Sequence, residues 1–128
     1  MLSKAEVEVL GRVAGLIIPE SEAHGVPGAD DPAILAEIIV SAGRNEAAVK
    51  AALSAFEAVG DASFQQSHKE EAAVLQTIVA SCYYRDGRVL ESLGREARPP
   101  MPKGFEVEAG DFSLVDEVRA RGPIWRRA

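Results

Sequence analysis

Two histidines (His24 and His68), one cysteine (Cys82) and 20 carboxylates are the side chains from which this 128-residue sequence would have to build catalysis or a metal site. A thiol nucleophile needs a base nearby to hold it as thiolate. Cys82 instead continues the apolar run Leu75, Ile78, Val79, where a free cysteine acts as a small hydrophobe. A single cysteine also leaves no disulfide within the chain. His24 stands among Glu20, Glu22, Asp30 and Asp31, donors that suit a cation, but their spacing matches no metal-binding loop and reads as a solvated acidic loop. His68-Lys69-Glu70-Glu71 reads as a polar helix start, with acids complementing the helix dipole. It is not H-E-x-x-H, since Ala72 stands where the second histidine belongs.

Other signatures of chemistry fail in the same way. Gly25-Val26-Pro27-Gly28 lacks the Gly-Lys-Ser/Thr ending that places backbone donors and a lysine on phosphates. Neither G-x-G-x-x-G nor a G-x-S-x-G nucleophile elbow occurs. A serine triad would have to draw on histidines in a loop and at a helix start, and no carboxylate pair is singled out for acid–base work. The expectation is a chain with no catalytic, cofactor-binding or metal-ligating residue of its own.

The elements that would position any site are helical. Ser3 and Glu6 have capping-box spacing, and Val9, Leu10, Val13, Leu16 and Ile17 follow on one wide face until Pro19 stops the helix. After a loop over residues 19–31, Asp31-Pro32 reads as N-cap plus first-turn proline for a helix through Ile34, Leu35, Ile38 and Ile39, ending at Gly43. Asn45 is the expected cap of a third helix carrying Val49, Ala52, Leu53, Phe56 and Val59, closed by Gly60. A break over residues 61–67 precedes a helix from about Lys69, with Ala72, Leu75, Ile78, Val79 and Cys82 on one face. Asp86 caps a short helix through Val89, Leu90 and Leu93, closed by Gly94. Three prolines and three glycines over residues 94–110 predict an irregular strap, in which Phe105–Val107 is the one stretch able to pair briefly as strand. Asp111 or Ser113 opens a last helix with Leu114, Val115 and Val118, ending near Gly122-Pro123. The fold class expected is all-α: one domain over residues 1–128, a compact bundle of five to six helices, with a helical core over 1–93 and a Pro-rich strap and terminal helix over 94–128.

Composition sets the outer bounds. A 13.6 kDa chain has an expected folded surface of ~6,600 Å² against ~19,700 Å² unfolded, enough burial for a core without staples. Apolar runs of a few residues fall short of the ~18 that a membrane span needs, so no membrane insertion is expected. Net charge is −6, the wrong sign for a nucleic-acid binder, and none is expected as a partner. The start Met1-Leu2-Ser3-Lys4, followed at once by Glu6 and Glu8, has no signal-peptide pattern and reads as cytoplasmic, with a periplasmic location open only through export with a partner.

Charge is uneven along the chain: residues 1–84 carry 5 basic and 12 acidic side chains, residues 85–128 carry 9 and 8. Tyr, Trp, Met and Arg are the types that anchor protein interfaces, and prolines pre-order a segment so that docking costs less entropy. These types gather late in the chain. The expected partner surface is therefore Tyr83, Tyr84, Arg88, Arg98, Pro99, Pro100, Met101 and Trp125. A homodimer through a leftover apolar helix face also suits so small a helical chain.

Three motifs, in order, resemble the small-subunit family of membrane-bound gluconate 2-dehydrogenase, subunit 3. They are Leu16-Ile17-Ile18-Pro19 at a helix end, the loop Gly25-Val26-Pro27-Gly28-Ala29, and the turn Tyr83-Tyr84-Arg85-Asp86-Gly87-Arg88-Val89 followed by Leu93-Gly94. The resemblance covers residues 5 to about 95. It implies a non-catalytic accessory subunit of a large flavin-bearing dehydrogenase of the glucose–methanol–choline type, with a multihaem cytochrome often taking the electrons. It supplies no catalytic residue; Pro19, Gly28, Tyr83, Tyr84, Asp86 and Arg88 are motif positions that shape the fold or the partner surface. Two departures stand out: the twin-arginine export signal of many members is not seen here, and the strap from Gly94 onward lies outside the resemblance. The alternative function is a stand-alone helical module that binds a small molecule or another protein.

Overall fold

The computed structural model describes residues 1–97, 104 and 110–123. Their elements are α1 (Lys4–Ile17), α2 (Pro32–Ala42), a 3-10 turn (Gly43–Asn45), α3 (Glu46–Val59), α4 (Asp61–Ser67), α5 (Lys69–Tyr83), α6 (Gly87–Ser92), a second 3-10 turn (Phe112–Val115) and α7 (Asp116–Arg121). The fold is all-α. Among the described residues, the one extended pairing is an isolated antiparallel bridge between Ser21 and Val26.

Local signals account for most helix ends. The Ser3 hydroxyl accepts from the Glu6 amide at 3.3 Å while the Glu6 carboxylate accepts from the Ser3 amide at 2.6 Å, a complete capping box. Asp31 accepts from the Ala33 amide at 3.1 Å with Pro32 in the first turn, and Asp86 accepts from the Arg88 amide at 2.9 Å. Gly94, at φ 70°, lets the Arg95 amide reach back to the Leu90 carbonyl at 2.9 Å and seals α6. Two expectations are corrected. Asn45 precedes α3 but its side chain makes no cap bond, because the chain enters α3 directly from the 3-10 turn. Residues 61–67 form α4 where a break was expected. Phe64, alone among polar neighbours, gives no period to read, yet it is buried edge-on against Phe56 with centroids 5.4 Å apart.

The core is built around α5, which packs against α1, α2, α3 and α4. Leu10, Ile34, Ile38, Val49, Leu53, Leu75 and Val79 are all less than 2% exposed. Each such side chain contributes roughly 1.5–3 kcal/mol by leaving water. Leu16 and Leu93, expected on buried faces, are 54% and 58% exposed in the last turn or just past the end of their helices. Among the described residues, 110–123 contribute nothing buried. The expected strap at 98–103 and the brief strand at 105–107 lie outside the described residues.

Candidate docking surface

The turn after α5 and the loop after α1 come together at one corner of the bundle. The Tyr83 hydroxyl donates to the Pro27 carbonyl at 2.9 Å, across 56 residues of sequence. The Ala29 amide donates to the Ile18 carbonyl at 2.9 Å, pinning the far end of the loop to the end of α1. Between them lies Gly28, which is buried; a Cβ there would sit 2.4 Å from Asp30 Oδ1, 2.9 Å from the Glu20 amide nitrogen and 3.3 Å from the Ile18 carbonyl. The three motifs 16–19, 25–29 and 83–89 thus form a single clasp.

Arg88 locks it from outside. Its guanidinium donates to both Asp31 oxygens at 3.2 and 2.8 Å and to Asp86 at 3.1 Å through Nε and again through Nη2. One arginine therefore joins the caps of α2 and α6. The hydrogen bonds from Arg88 are the first cause holding the Asp31 and Asp86 carboxyls below the ordinary aspartate value, and the same bonds push the guanidinium up. Burial, with Tyr84 and Asp86 adding to it, raises the Tyr83 phenol.

The expected interface residues therefore divide. Tyr83 is 4% exposed and Arg88 is engaged by two carboxylates, so both hold the clasp. Tyr84 is 53% exposed and stands edge-on to Tyr83 with centroids 5.3 Å apart. Ala97 lies so near that a Cβ on Gly87 would be 3.2 Å from its own, so the chain leaves α6 along this corner. Arg98, Pro99, Pro100, Met101 and Trp125 lie outside the described residues.

Arg85 belongs to the 83–89 motif but is not among the residues of the expected partner surface. Its Nη2 is 3.5 Å from both Ser41 Oγ and Cys82 Sγ, and Cys82 Sγ is 3.3 Å from Ser41 Oγ. These contacts bridge the seam between α2 and α5, whose approach no local pattern announces. On one side of the bridge is a cleft of about 320 Å³ lined by Ile34, Glu37, Cys82, Arg85 and Asp86. On the other is a cleft of about 430 Å³ bounded by Ser41, Arg44, Ala73, Val74, Thr77 and Ile78. The histidines lie elsewhere: His24 is exposed in the loop, and His68 stacks on Phe64 with Nδ1 3.0 Å from Ser67 Oγ. Among the described residues, no group of three or more His, Cys, Asp and Glu side chains is placed to hold a metal, and no helix is long and apolar enough to cross a membrane. The space between Phe56, Phe64, Val13 and Ile17 measures about 40 Å³, whereas the open clefts, including one of about 440 Å³ beside Gly11, Gly15, Pro19 and Asp30, reach the ~300 Å³ of a small-molecule pocket.

Comparison with protein families, with curated proteins and with solved structures finds no match to the chain.

Proposed function

We propose that the chain is a non-catalytic helical accessory subunit that docks on a larger flavin-dependent dehydrogenase, as its resemblance to gluconate 2-dehydrogenase subunit 3 suggests. The observation that supports this reading is the meeting of the three motifs at one corner. Tyr83 and Gly28 fix the corner's shape from within and Asp31, Asp86 and Arg88 from outside, and Tyr84 stands on it with half its surface in water. A tyrosine ring has only two side-chain torsions to fix, so it loses little freedom when a partner covers it, which is how interface anchors gain affinity. Ala97, the last described residue before position 104, lies beside Gly87 at the same corner.

The reading is tested by recovering the tagged chain from its native cell and recording the flavin absorbance of what accompanies it. A yellow large subunit is expected, and Tyr84→Ala should weaken its retention at least tenfold, about 1.4 kcal/mol. Recovery of the chain without a flavoprotein, at native expression levels and low salt, would reject the proposal.

A further inference from the structure

The two clefts follow one another along the seam between the antiparallel helices α2 and α5, with the Arg85 guanidinium between them, and together they make a furrow that a helix can follow once that side chain swings aside. Val74 and Ile78 give it an apolar floor. Along α2 the furrow has an order of charge: Arg44 at one end, Arg85 over the middle at Ser41, then Glu37, and Asp86 beside Ile34 at the other end. The segment Asp111–Arg121 has the opposite order. Asp111, Asp116 and Glu117 come first, Arg119 and Arg121 last. Phe112, Leu114, Val115 and Val118 are 66%, 83%, 40% and 62% exposed on it. At about 2.0 Å per residue through the 3-10 turn and about 1.5 Å through α7, Phe112–Arg121 extends about 17 Å, close to the ~16 Å of the eleven-residue α2.

We propose that Asp111–Arg121 of one copy docks in the α2/α5 furrow of a second copy, and reciprocally, as an exchanged arm. Laid antiparallel to α2, the segment sets Asp111 by Arg44, Asp116 and Glu117 by Arg85, and Arg119 and Arg121 by Glu37 and the Asp31–Arg88–Asp86 group, which keeps one net negative charge. Its apolar face then covers Val74 and Ile78, the helix-in-groove arrangement. In its own chain the segment buries nothing, so furrow and ligand stand open together. Reciprocal exchange is self-complementary and closes at a dimer. The inference is independent of the flavoprotein reading.

Sedimentation of the full chain across micromolar concentrations tests it. A monomer–dimer equilibrium is expected. Leu114→Asp and Thr77→Arg, both at exposed positions, should each weaken it about tenfold or more, with far-UV circular dichroism unchanged. Mixing these two variants should restore association, since the intact arm of Thr77→Arg still meets the intact furrow of Leu114→Asp. In a Cys82→Ala background, Thr77→Cys and Val115→Cys chains, when mixed, should form a disulfide between the two chains. A chain that stays monomeric, a dimer indifferent to both variants, or a Thr77→Cys/Val115→Cys double variant that closes its disulfide within one chain would each overturn the exchange.

Discussion

Gly28→Ala isolates the clasp from every other contribution to stability. The added methyl would lie 2.9 Å from the Glu20 amide nitrogen and 3.3 Å from the Ile18 carbonyl, both backbone atoms, and 2.4 Å from Asp30 Oδ1. The Asp30 carboxylate is on an exposed side chain and rotates away cheaply. The backbone atoms move only by opening the loop, which strains the 2.9 Å bond from the Ala29 amide to the Ile18 carbonyl. Overpacking costs typically ~1–3 kcal/mol and the hydrogen bond about 1, while alanine stiffens the unfolded chain by roughly 0.4–1 in the opposite direction. The net loss is about 2 kcal/mol, or roughly 7 °C in Tm for a domain of this size. Gly43→Ala is the matched control. It meets nothing within 4 Å and has φ −59°, ψ −22°, so stability should stay level or rise slightly. Thermal and urea unfolding followed at 222 nm read both variants. Adding Asp30→Ala to Gly28→Ala should recover only a small part of the loss, since the backbone contacts remain. A Gly28→Ala protein within about 0.5 kcal/mol of the parent, the ordinary range for inconsequential surface changes, would show that the clasp does not constrain the loop as argued.

Three further outcomes are expected. Tyr83→Phe removes the donor to the Pro27 carbonyl and should cost about 1–1.5 kcal/mol in urea unfolding, with the helical spectrum retained. Asp31 and Asp86 are held below their ordinary value of 3.8 by Arg88, so in the folded state each binds its proton at lower pH than in the unfolded chain. Their stabilisation is therefore complete above the unfolded value and declines as pH falls through the depressed folded values; Arg88→Met should flatten the acid limb of the stability–pH curve, and an unchanged limb would count against the pairing. Phe64→Ala should cost roughly 3–5 kcal/mol, which equilibrium unfolding would measure directly, because α4 is seated by that ring against Phe56.

Helix boundaries were legible because their signals are local: a hydroxyl and a carboxylate three residues apart at Ser3 and Glu6, a carboxylate before proline at Asp31, left-handed glycines at 60 and 94. α4 was not, because one buried ring among polar residues has no period. The clasp was not legible either, since Tyr83 and Pro27 stand 56 residues apart, Arg88 and Asp31 57, and nothing in either stretch names the other. That has a consequence for reading motifs. Tyr83 and Arg88 are the residue types of an interface, yet their hydrogen bonds explain their presence through folding alone, as lack of space explains Gly28. Tyr84 differs. Its hydroxyl makes no hydrogen bond among the described residues, its ring stands edge-on to Tyr83, and half of it faces water. A large apolar ring presented in this way gains from a cover that the bundle does not supply. Of the motif residues at this corner, Tyr84 is therefore the one whose substitution should separate docking from stability: Tyr84→Ala should leave the unfolding midpoint nearly unchanged while weakening capture of the partner, whereas Tyr83→Phe should lower the midpoint first.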